Sequence, residues 1–190
     1  MLLVDFQIKK AVEEGKIKID PYDPKYISPG AYYFRLGSKL LLPKPGQTIT
    51  FKKKKNPKYD EVDISNDSYV IKPGEFLLGQ PLEKITVPND IGMFVDGRTT
   101  MARLGLSIHQ TATFVHPGHT DGVVTLEIFN AGNHRIELFC GMDFAKGIFI
   151  RASEPAKVGY NECDGSTNSC GGYDGKSTVV GANVVSYVKD

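Results

Sequence analysis

The sequence predicts an all-β domain whose short strands close into a barrel or a sandwich. Three observations predict it. The 190-residue chain holds 20 Gly, 11 Pro, 9 Tyr and 10 Phe but no Trp, which suits short strands joined by many turns. Short runs of strand composition recur at even spacing, each bounded by Gly, Asn or Pro. A sustained helical stripe stands at the N-terminus, before Gly15.

In chain order, Asp5 is placed as an N-cap, and Phe6, Ile8, Ala11 and Val12 form the apolar stripe that Gly15 stops. Lys16 to Ile19 alternates as a strand and turns at Asp20-Pro21. Ala31 to Leu36, after Ser28-Pro29-Gly30, and Leu40 to Leu42, before Pro43, are the next two. Lys52 to Lys55 opens a polar segment reaching Asp67, read as a solvated hairpin tip in preference to a phosphate or nucleic-acid patch. Tyr69 to Ile71, Phe76 to Gly79, Lys84 to Val87 and Ile91 to Val95 follow as strands. Ser107 to Ala112, Val123 to Asn130, Arg135 to Leu138 and Ala145 to Arg151 complete the set. Residues 1–152 thus form the β domain, and residues 153–190 a Gly/Ser-rich tail whose Val179 to Val188 returns as a closing strand.

An apolar content of 41% and a charged content of 24% are those of an ordinary soluble domain. A net charge of +1 removes any global argument for nucleic acid or membrane as partner. No apolar run is long enough to span a bilayer, and Asp5 interrupts Met1-Leu2-Leu3-Val4 too early for a signal peptide. The expected compartment is the cytoplasm. Three cysteines argue against a secreted disulfide scaffold. Cys163 and Cys170 either pair or stay reduced, and Cys140 is expected as a buried thiol.

Chemistry concentrates in two stretches. Gly97-Arg98-Thr99-Thr100-Met101-Ala102-Arg103-Leu104-Gly105 sets two hydroxyls and two guanidiniums on a short helical turn, a pattern that favours anions. Thr125-Leu126-Glu127-Ile128-Phe129-Asn130 alternates as a strand and puts Glu127 on one face with Thr125 and Phe129. A capped turn that binds nothing and a glutamate facing water are the plain alternatives. Together the two suggest acid–base chemistry on a phosphorylated small molecule.

Other motifs fail. Gly175-Lys176-Ser177 lacks the earlier P-loop glycine, because Cys170 stands there. His116-Pro117-Gly118-His119-Thr120-Asp121 holds zinc-ligand types, but Pro and Gly make it a turn beside a pocket. The chain has neither the His-x-Glu with Pro-Cys-x-x-Cys of zinc deaminases nor a Gly-x-Ser-x-Gly elbow.

Asp96 to Leu106 resembles the Asp-Gly-Arg-Ser-Ser-x-Ala-Arg-Leu-Gly-Leu of the dCTP deaminase branch of the dUTPase-like superfamily, with Thr99 and Thr100 for the serines. Leu126-Glu127-Ile128-Phe129-Asn130-Ala131-Gly132, Thr111-Ala112 and Pro155-Ala156 with Tyr160 extend the likeness. The resemblance implies a distorted, jelly-roll-like β-barrel with a short N-terminal helix, assembled as a homotrimer with sites between subunits. It implies zinc-independent conversion of dCTP and water to dUTP and ammonia. Glu127 would be the general acid and base, and Thr99 and Arg103 would fix the water and stabilise charge. Arg98, Thr100 and Tyr160 would hold phosphates and sugar, and Lys176 a phosphate lid. Thr111 and the Ala112 backbone would read the base, with Met101, Ala102, His116, Thr125 and Leu126 as further substrate contacts. Mg²⁺ would arrive on the triphosphate.

His116 departs from the family's Asp, which in dUTPases serves the hydrolytic water. Dedicated dUTPases carry an apolar residue where Glu127 stands, so deamination ranks first. A dUTPase or a bifunctional enzyme forming dUMP and pyrophosphate ranks second, and a silent nucleotide-binding trimer third.

Overall fold

The computed structural model describes residues 1–162 and 178–183. Helix α1 (Asp5–Glu13) leads into β1 (Lys18–Asp20), a 3₁₀ turn, β2 (Ile27–Ser28), β3 (Ala31–Arg35) and β4 (Lys39–Pro43). After a long loop come β5 (Tyr59–Asp63), β6 (Ser68–Ile71), β7 (Phe76–Gly79), β8 (Lys84–Thr86) and β9 (Ile91–Gly97). Helix α2 (Thr99–Arg103) precedes β10 (Leu106–Ser107), β11 (Phe114–Val115), β12 (Leu126–Asn130), β13 (Ile136–Phe139) and β14 (Asp143–Arg151). The mainly-β expectation holds.

The strands pair antiparallel in four sheets. One five-stranded sheet runs β10-β12-β7-β4-β5 and the other β11-β9-β14-β3-β2, while β1 with β8 and β13 with β6 make two-stranded ribbons. The arrangement is jelly-roll-like, and the sheets do not close into one continuous barrel ladder. A single apolar cluster joins the two large sheets, with Tyr32, Phe34, Met93 and Phe149 from one and Leu40, Leu77, Leu126 and Ile128 from the other. Each fully buried side chain of this size contributes about 1.5–3 kcal/mol.

Local chemistry explains where the structure departs from the expected elements. Helix α1 starts at Asp5 with Val4 as N-cap, where the Gln7 side chain accepts the Val4 N–H at 3.1 Å. Ile8 and Ala11 are buried, whereas Phe6 is 68% exposed. Strand β5 falls inside the polar segment, pairing Tyr59 to Asp63 with β4 as a largely exposed edge. The strand expected over Ser107 to Ala112 stops at Ser107. Beyond it the Gln110 N–H is spent on the Glu127 carboxylate instead of on a ladder partner. Residues 178–183 carry no strand, and the rest of the expected closing strand lies outside the described residues.

Candidate active site

Strand β12 sets the geometry. Leu126, Ile128 and Asn130 point into the core, so Glu127 and Phe129 occupy the opposite face. Pairing with β7 puts Glu127 across from Leu78 and Phe129 across from Phe76. The carboxylate therefore rises beside an apolar floor. Asn130 fixes the far end of β12, its Nδ2 donating to the carbonyls of Ile71 at 3.2 Å and His134 at 2.8 Å.

Gln110 holds Glu127 from above. Its backbone N–H donates to Glu127 Oε2 at 2.8 Å, and its side-chain Nε2 donates to Ser107 Oγ at 2.7 Å. The Glu127 N–H donates in turn to the Ile108 carbonyl at 2.9 Å. One carboxylate oxygen is thus anchored. No motif in the sequence pointed to Gln110.

Glu127, Ala112 and Thr125 border one cavity of about 350 Å³, floored by Phe76 and Leu78 and edged by Tyr59. Residues 180–182 complete its wall. The segment 178–183 is held there because Gln80 Oε1 accepts the Val179 N–H at 2.6 Å and Tyr59 Oη accepts the Ala182 N–H at 3.1 Å. Thr125 and Val180 also line a neighbouring cavity of about 140 Å³ with His116, His119 and Tyr160.

His116 and Tyr160 stack with ring centroids 5.4 Å apart and planes 4° from parallel. The Tyr160 N–H donates to the Pro117 carbonyl at 2.9 Å. Gly118 permits this docking. At φ +78° its hypothetical Cβ would lie 2.4 Å from Gly159 Cα, closer than any side chain tolerates. The His116–His119 turn accordingly lines a pocket, as its Pro and Gly suggested, and no group of ligand-type side chains able to hold a metal occurs among the described residues.

The α2 residues lie elsewhere on the chain. Thr99, Thr100, Ala102 and Arg103 are exposed, and Met101 is half-buried against the core. Arg98 pairs with Asp143 and lies over the Tyr33 ring at 4.2 Å. No α2 residue lines the Glu127 cavity within one chain. Beneath α2, burial pushes the Asp96 carboxyl up, but Lys146 at 3.1 Å and the Gly97 N–H outweigh it and hold the pKa below the ordinary value. The end of α2 is tied to β12, since the Ala131 N–H donates to the Gly105 carbonyl at 2.8 Å.

Two of the expected contacts line neither cavity of the single chain. Leu126 is 1% exposed and faces the core. Thr111 is exposed but borders neither cavity, in contrast to its neighbour Ala112. Lys176, Cys163 and Cys170 lie outside the described residues. Cys140 is half-buried and free.

A family model described as dCTP deaminase-like matches residues 2–152. A protein of Methanoculleus marisnigri named "dCTP deaminase, dUMP-forming" is 34% identical over 164 residues, covering 83% of this chain and 84% of its own. One from Thermobifida fusca with the same name is 33% identical over 174 residues, covering 84% and 83%. The crystal structure of the 2′-deoxycytidine 5′-triphosphate deaminase of Agrobacterium tumefaciens shares the fold at a TM-score of 0.59 and 22% identity. It covers 78% of this chain, which spans 47% of that longer structure. The curated names carry dUMP as product, whereas the sequence ranks dUTP first. This chain belongs to the dCTP deaminase-like family.

Proposed function

We propose that the chain hydrolyses the 4-amino group of dCTP to ammonia at Glu127 and carries the nucleotide on to dUMP. The observation that carries the reading is the carboxylate itself. Glu127 stands over an apolar floor with Oε2 anchored by the Gln110 N–H, which leaves Oε1 to meet a water. Ala112 edges the same cavity, where its backbone can read the exocyclic amine of cytosine.

Glu127 takes a proton from water as the oxygen adds to C4, and passes it to N3 of the ring. The regenerated carboxylate then takes the proton of the new C4 hydroxyl and delivers it to the amino group, which leaves as ammonia while C4 becomes a carbonyl. Thr99 and Arg103 hold the water and the developing charge. Because α2 does not line the cavity of its own chain, these two and the phosphate-binding Arg98 and Thr100 come from a neighbouring copy in a homotrimer. His116, Thr125 and Tyr160 take the sugar side, and Lys176 covers the phosphates. Magnesium enters as part of the substrate, Mg·dCTP, and the sequence carries neither half of the zinc-deaminase signature. Residues 1–152 form the catalytic domain, a span supported by the family match over residues 2–152, with 153–190 as its tail. The enzyme works in the cytoplasm.

Formation of dUMP consumes a second water and releases pyrophosphate; the product named for the relatives supports it. His116 favours a second reading, in which dUTP leaves intact, because an imidazole stands where the family's hydrolytic Asp belongs. Incubation with Mg·dCTP, ammonia measurement and chromatography of the nucleotides separate the two. Ammonia with dUMP and pyrophosphate is expected; ammonia with dUTP selects the second reading. No ammonia at all refutes both.

A further inference from the structure

The substrate proposed above is a polyanion, yet among the described residues no lysine or arginine lines either cavity around Glu127 and Tyr160. Cations are grouped in the loop that leads into the cavity rim, and the last of them, Lys58, directly precedes Tyr59 in sequence. The loop between β4 and β5, residues 44–58, carries Lys44, Lys52, Lys53, Lys54, Lys55 and Lys58 and no acidic residue. The next residue, Tyr59, edges the Glu127 cavity and bonds Ala182 on its wall.

The loop is a built element. Gln47 ties its two ends, its Nε2 donating to the carbonyls of Lys44 and Lys58 at 2.9 Å each. Gln47 Oε1 accepts the Lys58 N–H at 2.8 Å. A 3₁₀ turn over Phe51–Lys53 ends at Lys54, whose φ of 48° is left-handed and rare for a side-chain-bearing residue. Lys44 pairs with Asp60. Lys52, Lys53, Lys55 and Lys58 are exposed and make no ion pair among the described residues.

We propose that this lysine loop collects the triphosphate and raises its rate of arrival at the cavity beside Tyr59, resting on the reading of the site as one for Mg·dCTP. Fixed like charges at the mouth of a low-dielectric cleft raise the local concentration of a counter-charged ligand and its on-rate by about 10–10³. Clustered cations also suit nucleic acid, but position favours the nucleotide, because the loop base is continuous with the cavity rim.

The test is the triple variant Lys52→Ser, Lys53→Ser, Lys55→Ser, all at exposed positions, assayed with Mg·dCTP across a salt series. At low salt kcat/KM is expected to fall about tenfold with kcat unchanged, and the difference to vanish near ~0.5 M salt, where screening is short-ranged. A charge-reversed triple with Glu falls further. An unchanged kcat/KM at low salt overturns the proposal, and so does a loss that persists at high salt. Loss of binding to a single-stranded oligonucleotide with kcat/KM unchanged also overturns it and assigns the loop to nucleic acid. Should the wild type release no ammonia, the function fails, and equilibrium binding of dCTP to both proteins across the same salt series still decides the loop.

Discussion

Replacing Glu83 by Ala should damage this fold more than any surface change. Glu83 has a fully buried side chain whose two oxygens both serve Arg35. Oε1 accepts from Arg35 Nε at 2.7 Å and Oε2 from the Arg35 backbone N–H at 3.0 Å. Truncation strands a guanidinium that is itself mostly covered and lies over the Tyr26 ring at 5.0 Å. Breaking one side of such a pair costs about 3–5 kcal/mol, because the remaining charge keeps its desolvation penalty. For a chain of this size that lowers Tm by roughly 6–20 °C. Thermal unfolding followed by circular dichroism measures it. Glu83→Gln, which keeps the volume and one of the two acceptors, should cost less. The double variant Arg35→Leu, Glu83→Leu should recover much of the loss, since well-packed apolar replacements of a buried pair are often neutral. A Glu83→Ala protein within about 1 kcal/mol of wild type would refute the reasoning, because that is the worth of an exposed pair.

Alkaline titration tests one buried phenol and one half-buried phenol. Burial pushes Tyr32 up to about 12, and burial with the hydrogen bond to Glu75 does the same for Tyr69. A phenol raised in the folded state stabilises it fully below the unfolded value of ~10 and loses that contribution as pH climbs to the folded one. Tyr32→Phe and Tyr69→Phe should each remove a late phase from the ultraviolet difference titration, and all nine tyrosines ionising together would contradict it. The proposed sharing of the site between copies of a homotrimer predicts complementation. Glu127→Gln and Arg103→Ala should each be silent alone, and mixed trimers should regain part of the ammonia release; silence despite demonstrated subunit exchange would place both residues in one chain's site.

The legibility of the chain follows from where each residue finds its partner. Strand β12 was readable because its alternation separates a core face from a cavity face, and Glu127 lands where alternation puts it. The α2 turn was readable from its bounding glycines and from Arg98 onward. Strand β5 was hidden because an exposed edge needs no apolar rhythm, and Asp60, Glu61 and Asp63 look like loop. The segment after Ser107 reads as strand but bends because its backbone serves a carboxylate 17 residues on. Arg35 and Glu83, 48 residues apart, carry no local sign of each other. The distance of α2 from its own chain's cavity is likewise a property of tertiary arrangement, which no spacing in the sequence encodes.

The measurement that bears most directly on the central claim is ammonia release by Glu127→Gln at saturating Mg·dCTP, with dCTP binding measured in parallel. Gln keeps the volume and the contact to the Gln110 N–H but cannot take the proton from water. Release should fall by about 10²–10⁴ while binding stays within a few-fold of wild type. A variant that binds dCTP and still turns it over would remove the carboxylate from the chemistry.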